Sequence, residues 1–307
     1  MSADALLRLL GALAREGYSF VTPTPLTHEL VLGRSPGRTS RNLRDVFGWS
    51  LPFEPGFLPA DIEELLAEAD ALQEEDGLFR SRLRVSSIGD RLFLHSAFPT
   101  EARDSVFFGP DTYRFVDFIR SELPRFANAR RLVDIGTGSG AGAIMAAPLL
   151  PAARLTLLDI NPSALRLASV NARHAGIEAE LVEGESVDQV SGLVDLVIAN
   201  PPYIMDPTGR DYRDGGGMLG AGLSLDWTLA AARRLEPGGH MLLYTGVAIV
   251  DGRDGLREAL ERELPPLRCT LRYREIDPDV FGEELEKPVY AGVERIAAIG
   301  AVVEAAR

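Results

Sequence analysis

Three groups of residues in this sequence have types and spacings that could bind a ligand. The first is a glycine turn, Gly136-Thr137-Gly138-Ser139-Gly140, which follows the apolar segment Arg131–Ile135 and precedes a helical pattern. Glycines at this spacing let backbone N–H groups approach a ligand closely and point a helix N-terminus at its polar end. A tight strand–helix turn also needs glycine for steric reasons alone, so the turn is weak evidence for a nucleotide-type site when taken by itself.

The second group is a single carboxylate, Asp159, which lies nineteen residues after Gly140 at the end of another apolar segment. An acidic residue about 20 positions after such a turn binds the ribose diol of a nucleoside in doubly wound α/β folds. The third group, Asn200-Pro201-Pro202-Tyr203, ends a further apolar segment, residues 194–199. Because the carboxyl ends of parallel strands meet at one edge of a sheet, we expect all three groups to share one ligand site.

The apolar pattern from Phe107 onward alternates between strand and helix, which is typical of a parallel α/β sheet with a Rossmann-like, seven-stranded architecture. The predicted strands cover residues 131–135, 154–159, 178–182, 194–199, 240–244, 269–275 and 291–298. The predicted helices cover residues 111–122, 139–149, 162–174, 223–235 and 254–264. The glycine-rich segment from Ile204 to Gly222 has few apolar residues, and we interpret it as a structureless lid over the site.

The first 98 residues have a different pattern, which predicts a separate small α+β domain. Helices are expected over residues 4–15 and 41–47, with a third from Asp61 to Gly77, and the chain between the first two is expected to be a loop. Two strands, residues 78–86 and 91–95, are joined at Gly89-Asp90, which is a hairpin signal. Helices followed by a hairpin resemble a winged helix. We therefore predict a winged-helix-like substrate-recognition domain over residues 1–98 and a second domain over residues 99–307.

Length, charge and cysteine content limit the classes of function. The chain of 307 residues can bury a full core, and no apolar run is long enough to span a membrane. The net charge is −13, and residues 1–100 hold 10 arginines against 14 acidic residues, so neither part is a basic module. A single cysteine suits a reducing cytoplasm, and the scattered histidines lack the spacing of metal ligands. We expect a cytoplasmic protein with neither a membrane contact nor a metal.

Taken together, the three groups resemble the motifs of the class I S-adenosylmethionine-dependent methyltransferases. More narrowly, they resemble the HemK group, the protein glutamine N5-methyltransferases. Further segments are similar to that group or to its eukaryotic members: Asp195-Leu196-Val197-Ile198-Ala199, Asp214-Gly215-Gly216, Leu235-Glu236-Pro237-Gly238-Gly239, and Val106-Phe107 with Asp111-Thr112-Tyr113. The resemblance covers residues 106–300. The Asn-Pro-Pro-Tyr motif also occurs in adenine N6- and guanine N2-methyltransferases of DNA and RNA.

The resemblance implies a cofactor, S-adenosylmethionine, and a set of site residues. The implied cofactor-binding residues are Thr112, Asp134, Gly136, Gly138, Gly140, Asp159, Glu185, Ser186 and Asn200. The implied catalytic residues are Asn200 and Pro201, whose carbonyls accept the two N–H bonds of the acceptor nitrogen, and Tyr203, whose ring stacks on it. Two features depart from the family. Glu185 replaces the usual aspartate after Gly184, and the N-terminal domain does not look like that of bacterial release-factor methyltransferases.

The implied activity is N-methylation of a planar amide or amine nitrogen. The first choice of acceptor is a glutamine side chain in a protein, and the second is a base amine in RNA or DNA. A third interpretation is a catalytically idle S-adenosylmethionine-binding module that works through its N-terminal domain. The complete Asn-Pro-Pro-Tyr motif argues against this third interpretation, because cofactor binding alone does not require all four residues.

Overall fold

The centre of the molecule is one twisted sheet, seen in a computed structural model that describes residues 1–206 and 212–307. In chain order the helices are α1 (Ala3–Arg15), α2 (Pro25–Gly33), α3 (Leu43–Phe47), α4 (Ala60–Glu68), α5 (Pro110–Glu122), α6 (Ala141–Ala146), α7 (Pro162–His174), α8 (Gly222–Arg234) and α9 (Gly255–Glu263). The strands are β1 (Leu72–Glu75), β2 (Leu78–Ser81), β3 (Leu83–Ile88), β4 (Arg91–Ser96), β5 (Arg131–Ile135), β6 (Arg154–Asp159), β7 (Glu180–Glu183), β8 (Val194–Ala199), β9 (Leu235–Val250), β10 (Arg253–Asp254), β11 (Cys269–Asp277) and β12 (Arg295–Ala305).

The sheet has the strand order β11-β12-β9-β8-β5-β6-β7, and the two-residue β10 pairs with β9. Strands β5 to β9 run parallel, whereas β12 is antiparallel to both of its neighbours. At the centre β5 lies beside β8, with Asp134 opposite Ile198 and Ile135 opposite Ala199. The chain leaves β5 toward β6 on one side and leaves β8 toward β9 on the other. Ligands of doubly wound sheets bind at such a reversal of strand order. The predicted Rossmann-like sheet is confirmed.

The central strands form where the sequence predicts them because their side chains are apolar on both faces. Leucine, valine and isoleucine residues of β5, β6 and β8 are buried, as expected of parallel strands that are covered by helices on both sides. The bounds of these three strands and of α7 match the prediction. Strand β9 begins earlier than predicted, at Leu235. A register shift opposite Val194 and Leu196 lets it absorb Pro237-Gly238-Gly239, which we expected to form a loop before the strand.

Two N-terminal predictions are wrong for local reasons. The helix that begins near Asp61 ends at Glu68 and not at Gly77. Asp76 and Gly77 both have positive φ, 52° and 76°, and they turn β1 back onto β2 as an antiparallel hairpin. The expected loop between the first two predicted helices contains α2, which begins with Pro25 in its first turn and is capped by the Thr24 side chain. Proline is tolerated in the first helical turn because backbone N–H groups there have no acceptor within the helix.

The N-terminal residues share a hydrophobic core with the central sheet domain. Leucines of α1, including Leu6 and Leu9, are fully buried in a cluster that also contains Leu167 and Val170 of α7. The Asn171 side chain accepts a hydrogen bond from Leu94 N (2.8 Å) and donates one to Leu94 O (3.0 Å), which joins α7 to β4. The N-terminal part is therefore anchored on α7. The winged-helix comparison and the boundary at residue 98 stay predictions.

The described part of the chain, residues 1–206 and 212–307, holds neither a membrane-crossing helix nor a metal-binding cluster. No helix in these ranges is both long enough and apolar enough to cross a membrane. No group of three or more His, Cys, Asp or Glu side chains there is arranged to hold a metal ion. The one cysteine, Cys269, is buried in β11.

Candidate functional site

A cavity of about 370 Å³ opens at the carboxyl ends of β5, β6 and β8. A volume of this size is typical of small-molecule sites. Its walls include members of all three groups singled out in the sequence, namely the glycine turn, Asp159 and Asn200. The strand ends therefore bring these groups together, as the predicted sheet requires.

The glycine turn has a backbone that only glycine adopts easily. Gly136, Gly138 and Gly140 have φ values of 64°, 53° and 80°. A Cβ atom on Gly136 would lie 2.6 Å from the ring of Trp227, so a larger residue would displace that side chain. Gly136 and Gly138 line the cavity, whereas Gly140 does not and is the N-cap residue that precedes α6. The turn thus presents backbone without side chains to a ligand.

Asp134 holds the glycine turn in place through side-chain hydrogen bonds. Its buried carboxylate accepts hydrogen bonds from Thr137 Oγ1 (2.9 Å) and from the backbone N–H of Ala143 (3.1 Å). Burial raises the pKa of Asp134 to about 7, and these two hydrogen bonds oppose that rise. Asp134 also lines the cavity, so it is both a brace for the turn and part of the wall.

Asp159 links the ends of two strands through its carboxylate. Oδ2 accepts from the backbone N–H of Gly138 (2.8 Å) and Oδ1 accepts from that of Asn161 (2.9 Å). The residue is almost buried but lines the cavity. The neighbouring Ile160 is 48% exposed and lines the same wall, which gives an apolar contact beside the carboxylate. No motif in the sequence indicates this position for Ile160.

The remaining predicted cofactor residues divide between the cavity and its surroundings. Thr112 lines the cavity, and its Oγ1 accepts a hydrogen bond from Gly109 N (3.3 Å). Glu185 also lines it and is exposed to solvent. Ser186 is not a lining residue. Its Oγ accepts from Asp188 N (3.1 Å) and caps a short helical turn.

Asn200 and Pro202 line the cavity at the end of β8. Asn200 is half-buried, and within residues 1–206 and 212–307 no hydrogen bond engages its side-chain amide. An amide in this state has acceptor and donor groups available to a ligand. Pro201 is buried and does not line the cavity. The described site therefore exposes Asn200 to a ligand and keeps the first proline as a stiff support.

Tyr203 points away from the cavity. Its ring packs on Gly246, where a Cβ atom would lie 2.2 Å from the ring, and its hydroxyl donates to Asp111 Oδ2 (2.5 Å). The side chain is 7% exposed and does not line the cavity. The expected stacking role of Tyr203 stays a prediction, and the geometry gives the residue an anchoring contact instead.

The segment after the motif is folded against it rather than structureless. Ile204 N donates to Arg213 O (3.1 Å), and Gly215 N donates to Ile204 O (2.9 Å). A Cβ atom on Gly220 would lie 2.1 Å from the carbonyl oxygen of Tyr203, so the two backbones meet closely there. Residues 207–211 of the predicted lid lie outside the described residues.

Several further residues line the cavity without having been predicted as site residues, among them Phe107, Tyr212, Leu223 and Trp227. The rings of Phe107 and Tyr212 are nearly parallel, at 7°, with centroids 6.0 Å apart. The Tyr212 hydroxyl donates to Thr100 O (2.6 Å). These contacts join residues about a hundred positions apart, so no local spacing in the sequence indicates them.

The chain is similar to known methyltransferases over most of the part that forms this cavity. Residues 116–249 match the family described as the methyltransferase small domain. The release factor glutamine methyltransferase of Deinococcus radiodurans is 32% identical over 57% of this chain and 63% of its own length. That of Cereibacter sphaeroides is 29% identical over 72% of this chain and 83% of its own length.

A third relative has a different name. The 4-amino-L-phenylalanine/4-methylamino-L-phenylalanine methyltransferase of Streptomyces pristinaespiralis is 36% identical over 40% of this chain and 46% of its own length. The chain thus spans somewhat less than two thirds of the Deinococcus relative and about half of the Streptomyces one. The matched region contains the glycine turn, Asp159 and Asn200-Pro201-Pro202-Tyr203 at the strand ends where we predicted a ligand site. Over this region the chain is similar to the class I S-adenosylmethionine-dependent methyltransferases and, within them, to the HemK-like release factor glutamine methyltransferases.

Proposed function

We propose that the protein transfers a methyl group from S-adenosylmethionine to the side-chain amide nitrogen of a glutamine in a protein substrate. The observation that carries this proposal is the position of Asn200. Its amide lies on the cavity wall beside Pro202, at the end of the strand next to the glycine turn. Two relatives whose names specify glutamine methylation support the choice of acceptor.

The cavity residues fit the cofactor on three counts. Gly136 and Gly138 give a wall without side chains, and a Cβ atom on Gly136 would collide with Trp227. Asp159 offers a carboxylate of the kind that accepts hydrogen bonds from a ribose diol. Ile160 gives an apolar surface beside it. These residues, with Thr112, would hold the cofactor, which supplies an electrophilic methyl group on a sulfonium.

The protein's contribution to the reaction is the orientation of a poor nucleophile. The lone pair of an amide nitrogen is delocalised into the carbonyl, which makes the nitrogen a poor nucleophile. Hydrogen bonds from both of its N–H groups would orient the lone pair toward the methyl group. The side-chain carbonyl of Asn200 would accept one N–H, and the resemblance assigns the other to the backbone carbonyl of Pro201, a buried residue between the two cavity-lining residues Asn200 and Pro202. Two successive prolines restrict the turn and keep it aimed. Alignment of this kind contributes roughly 7–11 kcal/mol to lowering a barrier.

We infer that residues 1–98 help to bind the substrate. A groove of about 560 Å³ runs between strands β2–β3 and the segment that leads to α5, and Arg80 and Arg82 line it. Ser105 and Val106 line both this groove and the cofactor cavity, so the two are adjacent. This adjacency supports a path by which a polypeptide on the N-terminal residues reaches Asn200.

The test of the proposed function is Asn200→Ala. The variant removes a hydrogen bond that strengthens toward the transition state, so kcat should fall on the order of 10²–10³ while cofactor affinity stays near that of the wild type. The measurement is methyl transfer from labelled cofactor to a library of glutamine-bearing peptides, with calorimetry for the cofactor. Asn128→Ala, an exposed loop asparagine, is the control. A wild-type rate in Asn200→Ala would remove the basis of the proposal.

A second candidate acceptor is a planar aromatic amine, such as the amine of a nucleic acid base. The nearly parallel rings of Phe107 and Tyr212 on the cavity wall favour it, because aromatic side chains stack on planar rings. The name of the Streptomyces relative also specifies an aromatic amine. The two candidates differ in charge, since only the nucleic acid carries phosphates.

A further inference from the structure

We propose that Asp111 is a positioning residue, which holds the Asn-Pro-Pro-Tyr motif in its working geometry through the hydroxyl of Tyr203. The inference rests on the proposed function, because it assigns Asp111 a role in the orientation of Asn200. It concerns a residue in the first turn of α5, 89 positions before the asparagine that it helps to place.

The contacts of Asp111 join three elements at one buried carboxylate. Oδ2 accepts from the Tyr203 hydroxyl (2.5 Å), and Oδ1 accepts from the Tyr244 hydroxyl (2.8 Å). Tyr244 lies on β9, the strand beside β8. Both tyrosines and Asp111 are buried. The motif is thereby tied to the start of α5 and to the next strand of the sheet.

A buried carboxylate needs partners for both of its oxygens, and Asp111 has them. Besides the two hydroxyls, Arg114 Nη1 lies 3.4 Å from Oδ1, and Arg114 Nη2 contacts Asp277 Oδ2 at 2.9 Å. Burial raises the pKa of Asp111, while the hydrogen bonds from Tyr203 and Tyr244 and the charge of Arg114 lower it. Because a lost partner would leave part of the carboxylate buried and unsatisfied, the arrangement is strongly held.

The motif is short and stiff, so the position of its last residue affects its first. Asn200 is fixed on one side by β8, and the two prolines that follow have restricted backbone angles. The far side is fixed where the Tyr203 hydroxyl meets Asp111. Loss of that hydrogen bond frees the end of the turn, and a shift of about 1 Å in a catalytic group can lower a rate about 100-fold. Thr112, the neighbour of Asp111, lines the cavity, so one helical turn contacts both the motif and the ligand site.

Tyr244 provides a matched control for a merely structural role. It donates the same kind of hydrogen bond to the other oxygen of the same carboxylate, but it lies on β9 and outside the motif. Removal of either hydroxyl deletes one buried hydrogen bond to Asp111. If Asp111 only stabilises the fold, Tyr203→Phe and Tyr244→Phe should have the same consequences.

The experiment compares Tyr203→Phe with Tyr244→Phe in the full chain. Thermal unfolding, cofactor affinity by calorimetry, and kcat and KM for the peptide acceptor are measured for both. We expect similar losses of thermal stability and near wild-type cofactor affinity in both variants. We expect kcat to fall at least about 10-fold in Tyr203→Phe, with KM little changed, and less than about 3-fold in Tyr244→Phe. Asp111→Ala should reproduce the Tyr203→Phe loss, and Asp111→Asn, which retains a carbonyl acceptor, should recover part of it.

Equal kcat losses in the two tyrosine variants, or a wild-type kcat in Tyr203→Phe, would overturn the positioning role. The Asn200→Ala variant separates this failure from that of the proposed function. If Asn200→Ala lowers kcat and Tyr203→Phe does not, only the inference about Asp111 is wrong. If Asn200→Ala is also without effect, the proposed function is wrong as well.

Discussion

At the scale of single residues, Asp159 has two tasks that follow from its place at the end of β6. Its carboxylate accepts the backbone N–H groups of Gly138 and Asn161, which fixes the glycine turn relative to the strand. It also forms part of the cavity wall. Asp195 offers a comparison at the amino end of β8, where its Oδ2 accepts from Arg130 N and Arg131 N (2.8 Å each).

Asp159→Asn should weaken binding of S-adenosylmethionine by roughly 1.5–3 kcal/mol, because it removes the charge from a hydrogen bond to the ribose diol. This corresponds to about 10-fold to 150-fold in Kd, which calorimetry measures. Asp195→Asn is the control, since it also alters a carboxylate that accepts two backbone N–H groups and does not line the cavity. Unchanged affinity in a folded Asp159→Asn protein would contradict the assignment.

The residues that could be found from the sequence are those whose roles follow from strand ends. The glycine turn, Asp159 and Asn200 each end a predicted strand, so the fold alone brings them together. The Asp111–Tyr203 contact joins positions 92 residues apart and depends on how α5 crosses the sheet. Trp227 likewise reaches Gly136 only through the packing of α8. Such contacts arise from tertiary packing, so no hydrophobic period or residue spacing in the sequence predicts them.

At the scale of elements, the backbone of the glycine-rich segment of residues 212–222 packs against the end of the Asn-Pro-Pro-Tyr motif. Gly215 N donates to Ile204 O, and Gly222 N donates to Gly217 O (2.8 Å), so the segment has its own backbone hydrogen bonds. A Cβ atom on Gly215 would lie 1.9 Å from Gly220 O. The sequence suggested a loop because glycine disfavours regular elements, but here glycine allows backbone to pack on backbone.

Gly220→Ala should disturb the motif through this contact. The residue has a φ of 100°, and its Cβ atom would meet the Tyr203 carbonyl oxygen at 2.1 Å. Backbone strain of this kind costs about 1–3 kcal/mol, so we expect a lower Tm and a lower kcat. Gly217→Ala is the matched control, because Gly217 has a φ of −57° and no atom within 4 Å of an added Cβ. Equal behaviour of the two variants in thermal unfolding and turnover would show that the close approach is unimportant.

At the scale of the whole molecule, charge is the property that distinguishes the two candidate acceptors. The net charge is −13. Several N-terminal arginines that could have formed a nucleic acid surface have internal partners. Arg38 pairs with Asp45 (2.7 Å), Arg44 donates to Ser19 O (2.9 Å), and Arg84 is buried and donates to Gly48 O (2.9 Å). Guanidinium groups engaged in this way contribute less to an attractive surface for phosphates.

Binding of the native acceptor should therefore depend little on salt. A nucleic acid acceptor would release counterions, so log affinity would fall with log salt by about 0.9 for each phosphate neutralised on duplex DNA and about 0.7 on a single strand. We expect a glutamine-bearing peptide to bind with similar affinity at about 50 and 200 mM salt, the range over which phosphate-dependent binding falls steeply. Total RNA should bind weakly at both. Tight RNA binding that collapses at the higher salt, and that is lost when Arg34, Arg38, Arg41 and Arg44 become alanine, would contradict the protein substrate. The base amine would then be the better candidate, with the N-terminal residues as its phosphate contact.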